Sequence, residues 1–170
     1  MRVAPVQAWA SKAGLLPLPP RVPVTADSVA MRLAIAELFA RYGIAHDEVD
    51  VPAMTDLRTE DGVLEVSLGG PVFERHQGRA AIAGNFARVA GTQRDQRRHA
   101  ITNLEITPQG AARADARAYG VVPAADGQGI RVVVTCAYTA DLALGADGLW
   151  RFARLWIGMD DYAGRAPGAD

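Results

Sequence analysis

The stretch QRRHAITNLEI, residues 96–106, sets a histidine, His99, four residues ahead of Asn103. Imidazole is the side chain whose ordinary titration falls near neutral pH, so His99 is the first candidate for proton transfer. Asn103 lies at even spacing in what reads as a strand, so it is expected to share a face with His99. There its amide would polarise a substrate carbonyl or make a structural hydrogen bond. Two other histidines complete the set. His46 precedes Asp47 by one helical position, about 100° round the axis, and is expected to face elsewhere. His76, in ERHQG, reads as a surface residue. RDQRR, at 94–98, reads as a solvated loop or as a steering patch for an anionic substrate.

Other chemistries lack their residues. There is no H-x-x-x-H or H-E-x-x-H pair and no Cys/His cluster, so no metal is expected. A Gly-rich phosphate loop and a G-x-S-x-G elbow are also missing, and no cofactor is expected. The single cysteine, Cys136, excludes an internal disulfide, and within IRVVVTCAYT it reads as a small buried hydrophobe.

The elements that must position these residues follow from pattern. Residues 1–24 read as a Pro-rich extension, because LPLPPRVPV cannot hold a helix. A domain is expected over 25–162 and a tail over 163–170. TADS at 25–28 caps a helix whose stripe is Met31, Ile35, Leu38, Tyr42 and Ala45, ending near 46–48. Tyr42 and Asp47 therefore lie near one end of it, where Tyr42 either donates its hydroxyl to a developing oxyanion or ends the apolar stripe as a core residue with a wet hydroxyl. VPAMTDLR predicts a second, short helix and VLEVSL a strand, with a turn at Gly69–Gly70 and a short strand near 72–75. GRAAIAGNFARVAG predicts a third helix with Ile82, Phe86 and Val89 on one face. Four long strands follow, from about 97–107, 112–122, 130–144 and 149–159. In the second, Ala112, Ala114, Ala116 and Ala118 share one face and Arg113, Asp115, Arg117 and Tyr119 the other. Helices early and an antiparallel meander late define an α+β fold, with three helices of the N-terminal half packed on a strongly curved, mainly antiparallel sheet.

With 170 residues the chain supports one core. A net charge of −1 supplies no field for nucleic acid. No apolar run reaches the ~20 residues of a membrane span, and the N-terminus lacks a compact secretory core, so a cytoplasmic protein is expected. All but one of the 18 basic residues are arginine, which suits a GC-rich bacterial source. Alternating strands with apolar residues on both sides predict a homodimer through the open sheet face.

AIAELFARYGIAHDEVDVPAMTDLRTEDGVLEV, GRAAIAGNF, RRHAITNLEI and DGLWRFARLWI, in this order and at these intervals, resemble the SnoaL-like branch of the NTF2-like superfamily over about 26–160. The resemblance implies a cone in which a bent sheet wraps the first helix and leaves a deep, mostly apolar pocket. Relatives include scytalone dehydratase, hexachlorocyclohexane dehydrochlorinase, ketosteroid isomerase, polyketide cyclases and limonene epoxide hydrolase. Non-catalytic binding modules and the β subunits of ring-hydroxylating dioxygenases belong there too.

In the dehydratase and the dehydrochlorinase, an aspartate ending the first helix pairs with a histidine entering the sheet. Asp47 and His99 match those positions. The resemblance thus implies cofactor-free general-base catalysis by His99, oriented by Asp47, with Tyr42 assisting: elimination or dehydration, isomerisation, or cyclisation of a small hydrophobic molecule. Asn103, Tyr119, Tyr138, Phe86, Met54 and Trp156 are the expected substrate-binding residues. The second histidine of the dehydratase falls near Ala118 here, which argues against scytalone-type dehydration. The competing readings are a hydrophobic-ligand-binding module without turnover and an accessory subunit of the dioxygenase β type.

Overall fold

A computed structural model describes residues 18–68 and 72–162, with side chains through 160. The Gly69–Gly70 turn, most of the Pro-rich extension and the 163–170 tail lie outside the described residues. Residues 18–24 carry no regular element.

Helix α1 spans Ala26–Asp47 behind the cap residue Thr25, whose N–H donates to Ser28 Oγ at 2.9 Å. Its buried face is Ile35, Leu38, Phe39, Tyr42 and Ala45, the expected stripe widened by Phe39. Helix α2, Val51–Asp56, is capped by Asp50, whose carboxylate accepts from Ala53 N–H at 2.9 Å. Helix α3 spans Arg79–Thr92 and buries Ile82, Asn85 and Phe86. No helix of the described residues is long and apolar enough to cross a membrane.

The strands are β1 Arg58–Leu68, β2 Val72–Gln77, β3 Gln96–Arg97, β4 Ala100–Pro108, β5 Arg113–Ala125, β6 Ile130–Leu144 and β7 Trp150–Tyr162. They form one curved, unclosed sheet in the order β2-β1-β7-β6-β5-β3, with β4 also paired to β5. Only the β1–β7 pairing is parallel. The inner face is continuous across register partners: Leu64, Leu155, Ala140 and Ala116 lie side by side and all are buried. Helix α1 packs against β4 and β7. Phe39 of α1 meets Phe152 of β7 edge-to-face, with ring centres 5.2 Å apart.

Three local departures from the sequence reading decide where side chains point. The strand expected over 97–107 is broken at Arg98 and His99, between β3 and β4. The β5 register places Pro123 opposite Arg98: Arg98 N–H donates to the Pro123 carbonyl at 3.0 Å, and proline has no N–H to return. Next, β4 carries an extra residue between Thr102 and Glu105, where Asn103 takes φ +54°. That bulge flips the alternation, so Ile101 packs on the core before it, and Leu104 and Ile106 do so after it. Last, β1 begins at Arg58, not Val63, because Thr59–Gly62 form a bulge inside the strand.

Candidate functional site

The site gathers where the C-terminal end of α1 meets the broken edge of the sheet. His99 follows a residue whose N–H is spent on β5, so its own N–H points to the free edge. Asp47, the last residue of α1, receives it: His99 N–H donates to Oδ2 at 2.9 Å and to Oδ1 at 3.1 Å. The ring follows the main chain, and His99 Nδ1 stands 2.6 Å from Asp47 Oδ1. Both side chains are under a tenth exposed. Gln96 Nε2 donates to the Asp47 carbonyl at 3.0 Å and holds the helix end to β3. Gly43 makes the approach possible, since a Cβ there would stand 3.3 Å from both Cβ and the carbonyl oxygen of His99.

A carboxylate this close fixes the tautomer with hydrogen on Nδ1 and leaves the Nε2 lone pair free to take a proton.

Tyr42 forms the next layer. Its ring is edge-on to His99 at 6.2 Å, to Tyr138 at 6.0 Å and to Phe152 at 5.9 Å between centres. Burial pushes its phenol up to about 12, so it stays protonated and able to donate. Tyr138 is buried as well, and its phenol is raised well above the usual value for the same reason.

Two residues were missed in the sequence. His46 does not face elsewhere: its ring centre is 4.4 Å from that of His99 and 5.9 Å from Tyr42. Burial, and then the neighbouring His99 and Arg97, push His46 down to about 3, so the ring is neutral, and its buried Nδ1 has no hydrogen-bond partner. Arg58 is the other. Its guanidinium is fully buried over Phe152, Tyr42 and Phe86, at 4.8, 5.5 and 5.6 Å from the ring centres. Its carbonyl is held by Arg79 Nε and Nη2 at 2.8 and 2.6 Å, which anchors the residue while its side chain points inward. Burial lowers Arg58 to about 10, so it remains charged at neutral pH. No sequence signal marked it, because arginine reads as surface by type. The His46 position was legible only with the tilt of α1 against the sheet.

The expected lining residues divide. Met54 and Phe86 border a cavity with His46, Val49, Val89, Ala90 and Gln93, and Tyr138 stands beside Tyr42. Three do not join them. Asn103 is exposed, because the bulge turns it away from the core. Tyr119 is 54% exposed on the outer face of β5. Trp156 follows the core residue Leu155, so it points to the outer face, where its indole N–H donates to Ser67 Oγ at 2.8 Å. The cavity itself holds about 10 Å³, room for roughly one water. Among the described residues, the buried Tyr42, Phe86, Tyr138 and Phe152 side chains crowd the interior beside this cavity. RDQRR is structural in part, since Asp95 takes Arg97 at 2.9 Å and Arg131 at 3.1 Å. Among the described residues no three His, Cys, Asp or Glu side chains converge as metal ligands.

The SnoaL-like domain profile matches residues 27–155, and the chain belongs to that family. Solved structures agree. Rv3472, a protein of unknown function from Mycobacterium tuberculosis solved as a single-residue variant, is 26% identical over 83% of this chain and 80% of its own, with a TM-score of 0.69. A Catenulispora acidiphila protein in complex with S-DNPA is 27% identical over 76% and 93%, with a TM-score of 0.68. The β subunit of a putative aromatic-ring-hydroxylating dioxygenase from Novosphingobium aromaticivorans is 19% identical over 77% and 90%, with a TM-score of 0.68, a likeness of fold alone. No curated protein matches.

Proposed function

We propose that the protein is a cofactor-free general-base catalyst acting on a small hydrophobic molecule, by elimination, isomerisation or cyclisation. The single observation that carries this reading is the 2.6 Å contact between Asp47 Oδ1 and His99 Nδ1 in a nearly closed interior. His99 Nε2 takes a proton from carbon, Asp47 holds the imidazolium, and the protonated Tyr42 phenol lies beside the ring to meet charge developing on oxygen. Neutral His46, against the His99 ring, adds no competing positive charge. The similar Catenulispora acidiphila protein in complex with S-DNPA supports a ligand site in this fold. The reading includes a homodimer through the outer sheet face, where Tyr119 and Val121 are exposed, and a cytoplasmic location.

Deuterium exchange tests the base directly. Incubated with α-tetralone in deuterated buffer, the protein should speed loss of the α-proton signal, and His99→Ala should lower that rate by about 10²-fold or more. Equal rates for the two proteins would remove the base assignment.

A second reading rests on the closed interior. With only about 10 Å³ open beside His46, the fold also suits an accessory subunit, the role of the Novosphingobium β subunit. Tagged full-length protein that co-purifies in fixed ratio with a larger oxygenase chain would favour it.

A further inference from the structure

The buried group that proton abstraction leaves unused is Arg58. All three guanidinium nitrogens lack a hydrogen-bond partner, and among the described residues it makes no ion pair. The one carboxylate residue in the buried set, Asp47, is taken by His99. A cation without an anion in a core is costly, and aromatic faces offset only part of that cost. An apolar side chain of the same length would serve the fold better. Three free N–H-bearing nitrogens in a rigid plane are the pattern that a carboxylate meets with two parallel hydrogen bonds.

The position fits a ligand shared with His99. Tyr42 touches both, with its ring 5.5 Å from the guanidinium and 6.2 Å from the His99 ring. Phe86 spans the other side, 5.6 Å from Arg58 and 6.0 Å from His46, and also borders the cavity. The open space bordered by Phe86 holds only about 10 Å³, so an acid that reaches Arg58 must displace the aromatic side chains packed on the guanidinium.

We propose that Arg58 is the anion-binding residue of this site, and that the ligand is a small hydrophobic carboxylic acid whose carboxylate pairs with Arg58. The carbon-bound proton of that acid then lies toward His99. The inference deepens the general-base reading and rests on it for the reacting end of the ligand, but not for the binding of the acid.

Titration calorimetry with benzoate and 2-naphthoate, each against its amide, tests it on the full chain. We expect at least one acid to bind at least about tenfold more tightly than its amide. Arg58→Met should erase that preference while leaving amide affinity unchanged, and Arg58→Lys, which keeps charge without the planar fork, should lose part of it. Thermal unfolding supplies a second readout: Arg58→Met should melt at or above the wild-type temperature, because the replaced charge burdens the fold. Equal affinity for acid and amide, no binding of either acid, or an Arg58→Met protein that is destabilised or unfolded would each overturn the proposal. His99→Ala should keep the acid preference. Lost deuterium exchange with intact acid preference therefore removes only the base reading, and the reverse pattern removes only this one.

Discussion

Asp47 holds His99 through two separate groups, the main-chain N–H at 2.9 Å and the ring Nδ1 at 2.6 Å. The first is a structural bond that satisfies an edge N–H left over where the ladder breaks. The second is the bond that orients the imidazole. A side chain placed this way cannot drift without its backbone.

The two roles separate by substitution. Asp47→Ala leaves both donors without their acceptor, and we expect a loss of about 2–4 kcal/mol in urea unfolding. Asp47→Asn keeps an oxygen for the main-chain N–H, so it should cost about 1 kcal/mol while deuterium exchange still falls steeply. If Asp47→Ala unfolds within experimental error of wild type, the contact is not a stabilising one.

His46 predicts the acid limb of the stability curve. Its folded value of about 3 lies below the ordinary value of 6.5, because burial, then His99 and Arg97, disfavour the charged ring. Between those values the unfolded chain binds a proton that the folded chain refuses, so stability rises with pH through this window. The contribution is complete above pH 6.5 and is lost progressively as pH falls toward 3, on the order of 5 kcal/mol in all. His46→Phe should flatten that part of the curve, as read from urea midpoints at steps between about pH 7 and pH 3. An unchanged slope in the variant would assign the acid sensitivity to other groups.

Most of the scaffold was readable because it follows periodicity. The α1 stripe from Met31 to Ala45 and the long strand at 130–144 came from spacing alone, and both elements lie where the pattern put them. Of the candidate site residues, Asp47 and His99, placed by the resemblance, are brought into direct contact. Asn103 was misplaced because even spacing fixes a face only while the register is unbroken, and one bulge residue reverses it. Trp156 is buried, as its apolar bulk suggests, but alternation from Leu155 puts it on the outer face of the sheet against Ser67. The break at His99 had a legible cause in Pro123, but the partner of that proline depends on a register that only the folded sheet sets. Arg58 had no signal, since nothing in TDLRTEDG distinguishes a buried arginine from a solvated one.

Asn103 turns its side chain outward at the β4 bulge, and whether the backbone conformation alone accounts for it is measurable. Its φ of +54° suits asparagine better than most residues and glycine better still. Asn103→Gly should keep stability within about 0.5 kcal/mol, and Asn103→Ala should cost roughly 1 kcal/mol. Deuterium exchange should be unaffected by either. A large fall in exchange for Asn103→Gly would return the side chain to the site.

Gly120 carries the sharpest packing prediction. It lies on the inner face of β5, opposite Cys136, and Tyr138 of β6 lies across it. A Cβ at this position would fall 2.6 Å from Tyr138 Cε2, 2.8 Å from Cys136 Sγ and 2.9 Å from the Tyr138 hydroxyl oxygen. None of these atoms is the end of a long flexible chain: both side chains are buried, and Tyr138 is edge-on to Tyr42. Gly120→Ala therefore forces the Tyr138 ring toward Tyr42, costing about 1–3 kcal/mol by the usual penalty for overpacking. Because Tyr42 touches both His99 and Arg58, the displacement should also weaken deuterium exchange. Replacing the ring as well, in Gly120→Ala with Tyr138→Phe, removes the hydroxyl clash but not the Cε2 or Sγ clash, so only part of the stability should return. Full recovery in the double variant would mean that the hydroxyl alone sets the fit, and no destabilisation in the single variant would mean that Tyr138 does not lie over Gly120.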